Sequence, residues 1–189
     1  MLKSQIRKEF LQRRNNLSST ERDKMSRQIF ENFISKFPLK SGQKIHLFLK
    51  MDKFNEINTQ LFIDYFFEKG IRIFVPKVSG EKISSLELFP STILKKNKWG
   101  IWEPDNDNYY PEKDFDYIIT PLLYCDNKGN RVGYGKGYYD SFFRTLEKPV
   151  IKIGLNYFAP EFTISDNRKE DIPLDYLVLP DETLSFLGL

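Results

Sequence analysis

The stretch Asn130-Arg131-Val132-Gly133-Tyr134-Gly135-Lys136-Gly137-Tyr138-Tyr139-Asp140 concentrates residue types suited to phosphate chemistry. Three alternating glycines let the backbone approach a ligand closely and leave N–H groups free to point at it. An apolar set follows at helical spacing: Tyr138, Tyr139, Phe142, Phe143 and Leu146. The glycines therefore open a helix, whose N-terminus adds partial positive charge. Lys136 supplies a full charge. Asp140, within the first turn, is placed to hold a metal ion. The physical reading is a polyphosphate site with Mg²⁺.

A bare Gly-x-Gly-x-Gly is equally a tight turn between a strand and a helix. Neither the Walker loop nor the dinucleotide Gly-x-Gly-x-x-Gly is present. The full string is more specific. It resembles the signature of the 5-formyltetrahydrofolate cyclo-ligases, also called methenyltetrahydrofolate synthetases. Their pattern reads Arg-Leu-Gly-x-Gly-x-Gly-Tyr-Tyr-Asp, and Val132 stands here for the leucine.

Further segments carry the same resemblance in the same order along the chain. Lys3 and Arg7 are four apart and share a helix face; by spacing alone that is a solvated basic face, whereas the family's Lys-x-x-x-Arg contacts nucleotide phosphates. Glu56 falls in Glu-Ile-x-Thr, where the family's glutamate holds the pterin of folate. A carboxylate can accept paired hydrogen bonds from an amino-pyrimidine edge. Trp99-Gly100-Ile101-Trp102-Glu103-Pro104 matches Gly-Ile-x-Glu-Pro. Its tryptophans offer flat faces to a pterin or an aminobenzoate ring, Trp99 before Trp102, or pack as core and surface. Asp171 and Asp175 match His-Asp-x-Pro-x-Asp, with Glu170 in place of the histidine. Asp175 reads as a strand-start or turn residue.

The resemblance implies an enzyme that uses ATP and Mg²⁺ to convert 5-formyltetrahydrofolate into 5,10-methenyltetrahydrofolate. ATP would meet Lys3, Arg7, Arg131, Gly133 and Tyr134, then Gly135, Lys136, Gly137, Tyr138 and Tyr139. Arg131 and Lys136 would be the catalytic cations. Folate would meet Leu49, Glu56, Trp99 and Tyr134, with Gly135, Lys136, Gly137 and Tyr138 shared between the two ligands. Asp140 and Asp171 would hold the metal. A folate- or nucleotide-binding module without activity, a nucleic-acid binder and a sugar-phosphate isomerase are competing readings. Interspersed basic and acidic residues argue against the nucleic-acid binder.

These residues need elements to position them. The chain has 189 residues, 40% hydrophobic, enough for one domain with a core. Its net charge of +3 suits an anionic ligand without demanding nucleic acid. One cysteine, Cys125, excludes an internal disulfide and a cysteine-rich zinc site. One histidine, His46, excludes a histidine relay; in the run Ile45–Leu47 it reads as a strand residue without a catalytic task. Neither a signal peptide nor an apolar span is visible. The expectation is a cytoplasmic monomer whose partners are ATP and folate, without nucleic acid or membrane.

Leu2, Ile6 and Phe10 predict a first helix, and Ser18-Ser19-Thr20-Glu21 a capping box before a second, from about Thr20 to Lys36. Thr59 to Lys69 reads as a third, ended by Gly70. Lys44–Leu49, Ile71–Pro76, Ser85–Phe89, Asp116–Thr120, Val150–Leu155 and Tyr176–Leu179 read as strands. Strands alternating with helices predict an α/β fold: a mainly parallel sheet with helices on both faces, one domain over residues 1–189. Ligands then bind at the carboxyl ends of the strands. Asp105 to Lys113 reads as a surface loop.

Overall fold

A computed structural model describes residues 1–80, 82–97, 100–106 and 111–188. Seven strands form one sheet in the order β11-β10-β9-β6-β1-β2-β3. They are β1 (Lys44–Leu47), β2 (Arg72–Ser79), β3 (Lys82–Leu88), β6 (Tyr117–Pro121), β9 (Ile151–Leu155), β10 (Tyr176–Val178) and β11 (Thr183–Ser185). The five inner strands run parallel. The two edge strands, β3 and β11, are antiparallel to their neighbours. This is the α/β architecture expected from the alternation of strand and helix patterns.

Side chains on β1 alternate between the faces, as a strand requires. Ile45 and Leu47 pack under α2 (Ser19–Lys36) and α3 (Gln60–Glu68), with Ile29, Phe33, Phe62 and Phe66 filling the layer. Each such fully buried side chain contributes roughly 1.5–3 kcal/mol. The opposite face carries α4 (Tyr138–Phe143), whose Phe142 and Phe143 join Phe74, Ile83, Phe115 and Ile118. Helices thus cover both faces.

α2 begins one residue before its predicted start, with Ser18 as its cap. The Ser18 hydroxyl accepts from Glu21 N–H at 3.2 Å, and Glu21 accepts from Ser18 N–H at 2.8 Å. Such a cap is worth about 1 kcal/mol. α1 (Lys3–Asn16) lies apart, over a hairpin of β7 (Tyr124–Cys125) and β8 (Arg131–Val132). Ile6 and Phe10 are buried there with Leu123, Tyr124, Val132 and Ile164.

Two hairpins are additions to the sequence reading: β7–β8, and β4 (Leu94–Lys96) with β5 (Trp102–Pro104). The predicted turn at Asp126–Gly129 is the tip of β7–β8, closed by the Asp126 carboxylate, which accepts from Lys128 and Asn130 N–H at 2.9 and 3.0 Å. α4 is shorter than its apolar spacing predicts. It stops at Phe143, and Leu146 follows in a turn made by Thr145 N–H to Phe142 O. Among the described residues no helix is long and apolar enough to cross a membrane.

Candidate active site

The glycine loop emerges from β8 and runs into α4. Gly135 and Gly137 hold φ of +88° and +68°, the left-handed region that side chains resist. A Cβ on Gly135 would also lie 3.3 Å from Arg7 Cζ. The loop is therefore glycine-rich for two reasons, backbone conformation and the approach of α1. Arg7 Nε donates to Gly133 O at 2.8 Å, and Lys3 Nζ pairs with the Asp171 carboxylate. The basic face of α1 thus turns toward the loop. It is not a solvated face. With only six residues, α4 supplies less dipole than expected, and the site's positive charge resides mainly in side chains. Lys136 is exposed and makes no hydrogen bond or ion pair among the described residues.

Asp140 and Asp171 come together. Asp140 Oδ1 accepts from Arg131 Nη2 at 2.8 Å and from the Ile172 N–H, one residue beyond Asp171, at 3.0 Å. Arg131 also donates to Ile172 O, and its side chain is only 7% exposed. Arg131 therefore ties Asp140 to the backbone beside Asp171. Asp171 Oδ2 is taken by Lys3 and by Arg168 N–H at 2.6 Å. Burial pushes the Asp171 carboxyl up, but the Arg168 N–H, Lys3 and Arg131 outweigh it and leave its pKa below the ordinary value. Asp140 Oδ2 and Asp171 Oδ1 have no hydrogen-bond partner among the described residues. No cluster of three or more His, Cys, Asp or Glu ligands is gathered among those residues either. Two open carboxylate oxygens fit Mg²⁺, which keeps waters and takes its other ligands from phosphates.

The loop's aromatic residues take three different positions. Tyr134 donates its hydroxyl to Glu56 Oε1 at 2.6 Å and stacks on Phe54 with ring centres 4.4 Å apart. Tyr138 is half-buried against the α4 cluster. Tyr139 turns inward, its hydroxyl 3.1 Å from His46 Nε2, while His46 Nδ1 lies 2.7 Å from Ser85 Oγ. His46 is more than a strand filler: it anchors the first turn of α4 to β1. Burial pushes its pKa down to about 3.

Glu56 is buried in the loop after β1. Its second oxygen accepts from Met51 N–H at 2.7 Å. Burial raises the carboxyl's pKa, and the bonds from Tyr134 and Met51 with the charge of Arg14 offset that only in part. Beside this loop lies a cavity of about 430 Å³, lined by Leu49, Lys50, Ile63, Leu94 and Trp102 among others. Leu49, expected from the resemblance to meet folate, lines this cavity. Trp99 lies outside the described residues, whereas Trp102, ranked behind it on sequence, lines the cavity. Asp175 is structural: it accepts from Lys152 N–H at 2.7 Å at the start of β10.

Sequence reasoning missed Arg14 and Phe54, both of which touch Tyr134. Phe54 gave no signal within its loop. Arg14 did give one, since it follows Ile6 and Phe10 at four-residue intervals.

The chain matches the model of the 5-formyltetrahydrofolate cyclo-ligase family over residues 1–175. It is 30% identical to the 5-formyltetrahydrofolate cyclo-ligase of Haemophilus influenzae, across 93% of this chain and 97% of that one. It is also 30% identical to the Escherichia coli K12 cyclo-ligase, across 72% and 75%. Its fold is similar to the Aquifex aeolicus 5,10-methenyltetrahydrofolate synthetase, with a TM-score of 0.84, 30% identity, and 100% and 95% of the two chains covered. The Mycoplasma pneumoniae synthetase superposes with a TM-score of 0.72 at 25% identity, over 94% and 98%. With its sheet, its glycine loop and this match along nearly its whole length, the chain belongs to the 5-formyltetrahydrofolate cyclo-ligase family.

Proposed function

We propose that the protein converts 5-formyltetrahydrofolate to 5,10-methenyltetrahydrofolate at the expense of ATP, through a phosphorylated formyl intermediate. One observation carries the reading: Lys3 and Arg7 reach Asp171 and the glycine loop, while Tyr134 of that loop reaches Glu56. A phosphate-binding half and a half suited to an amino-pyrimidine therefore share one loop.

The formyl oxygen, amide-like, is a poor leaving group. It attacks the γ-phosphorus, and ADP departs. N10 then adds to the activated carbon and loses its proton. The C–O bond breaks, releasing phosphate, and the ring is closed. No enzyme nucleophile is required, in keeping with a single buried cysteine. The chain's work is to align two substrates and stabilise phosphate charge. Lys3, Arg7, Lys136 and the loop N–H groups face that charge. Arg131 fixes Asp140 and the Asp171 segment. These two carboxylates would hold Mg²⁺, which neutralises the polyphosphate when bound. Glu56 accepts from the pterin, and Leu49 and Trp102 flank its ring. All these residues come from one chain, so a monomer suffices, and the cytoplasm supplies both substrates.

The test is spectrophotometric. With 5-formyltetrahydrofolate and Mg·ATP the methenyl chromophore should appear, together with ADP. Neither should form when ATP is omitted. Product formed without ATP, or no product with it, would sink the assignment.

A further inference from the structure

Ile6, Phe10 and Arg14 recur at four-residue intervals on the inward stripe of α1, and Arg14 is only 1% exposed. An arginine is almost never so buried unless paired, and burying an unpaired charge is costly. Among the described residues no carboxylate forms a salt bridge with it. Its Nη1 donates to Tyr134 Oη at 3.2 Å, and its Nη2 to Leu122 O at 2.8 Å and Asn156 Oδ1 at 3.4 Å. Its Nε has no partner. A leucine or methionine would complete the stripe without that desolvation, so packing alone does not call for the charge.

Counting protons shows what the charge does. A guanidinium only donates, and a phenol has one hydrogen. Arg14 therefore occupies a lone pair of Tyr134, and the Tyr134 hydrogen lies toward Glu56 Oε1, 2.6 Å away. Met51 N–H donates to the other oxygen. Every neighbour of Glu56 in this chain of bonds is a donor, and each carboxylate oxygen takes one such bond, leaving a second lone pair on each without a hydrogen-bond partner among the described residues. That is the pattern an amino-pyrimidine edge with two N–H donors requires.

We propose that Arg14 is a positioning residue for the folate substrate, fixing the Tyr134 hydroxyl so that Glu56 is held as an acceptor-only carboxylate. This inference rests on the folate role given to Glu56 above.

The test compares Arg14→Met, which keeps an unbranched apolar stem and removes the charge and donors, with Arg14→Lys, which keeps a donor. KM for 5-formyltetrahydrofolate and for ATP is measured with the thermal midpoint of each variant. Arg14→Met should raise the folate KM about tenfold or more and leave the ATP KM within about twofold. Its midpoint is read alongside, because Arg14 also bonds Leu122 O and Asn156 Oδ1 and its charge acts on Glu56. Arg14→Lys should recover most of the loss. In a Tyr134→Phe background Arg14→Met should add little, because the link to Glu56 is already cut. A folate KM unchanged in Arg14→Met overturns the proposal, as does a parallel loss of both KM values and the midpoint, which marks a purely structural arginine. Wild-type protein that forms no methenyl product fails the reaction assignment first, before any variant is compared, and removes this inference with it.

Discussion

At Gly135 two independent constraints meet on one residue: a φ of +88° and the Arg7 guanidinium 3.3 Å from where a Cβ would stand. Gly135→Val should therefore both strain the loop, by roughly 1–2 kcal/mol, and push Arg7 from its bond to Gly133. Turnover should fall at least about tenfold, more than the strain alone explains. Lys136→Ala should be milder. Lys136 is exposed and free of hydrogen bonds and ion pairs among the described residues, so stability should stay within about 0.5 kcal/mol while ATP-dependent turnover drops. Methenyl formation and thermal unfolding of both variants check this, and a fully active Gly135→Val would deny the loop its phosphate role. Glu56 gives a prediction with a sign. Its carboxyl is raised by burial despite its donors, so above the ordinary carboxylate value the native state holds a proton that the unfolded chain has released. Stability then declines as pH rises through that window. Glu56→Gln should remove this slope and weaken folate binding by roughly 1.5–3 kcal/mol. Urea unfolding across pH and a folate titration read the two effects separately.

Between elements, the bond from α4 to β1 runs through His46, with Tyr139 on one ring nitrogen and Ser85 of β3 on the other. The histidine is neutral in the fold, its pKa lowered from 6.5 to about 3 by burial. Below 6.5 the unfolded chain binds a proton that the native state refuses, so this contribution is complete above that pH and lost as pH falls toward 3. His46→Asn should flatten the acid limb of a circular-dichroism pH titration; an unchanged limb would show that other groups govern acid unfolding. Much at this scale was legible in the sequence. The capping box at Ser18 placed α2, and the apolar runs at Ile45 and Ile73 placed parallel inner strands. The β4–β5 hairpin was not legible, because three-residue strands, one ending in Pro104, carry no periodicity. β3 reached back to Lys82, where Ser84 and Ser85 hide the strand pattern. The inward turn of Lys3 and Arg7 was legible only through family resemblance, since spacing alone describes a wet basic face. Arg14 carried a spacing signal, four residues after Phe10, but its residue type masked it: an arginine in an amphipathic helix reads as surface.

Across the whole molecule, the candidate site draws on residues 3–14, 49–56, 131–140 and 168–172, segments that share no single hairpin or helix pair. Backbone ties reinforce the union: Ser165 N–H donates to Met1 O at 3.1 Å, and Lys3 N–H to Asp166 at 2.8 Å. A ligand that bridges such segments binds only the assembled fold, so its binding energy adds to global stability. At 100 times its Kd, Mg·ATP should add about 2.7 kcal/mol, which for a chain of this size raises the thermal midpoint by roughly 5–10 °C. The increment should shrink when the metal is chelated, because ATP alone would bring its charge against Asp140 and Asp171 without a cation between them. Asp140→Asn combined with Asp171→Asn should erase the difference between ATP with and without Mg²⁺. The variant's baseline midpoint will fall as well, since Arg131 and Lys3 lose their anions, but the difference between the two nucleotide conditions is independent of that baseline. A double variant that keeps the full Mg²⁺-dependent increment would place the metal on ligands other than these two carboxylates.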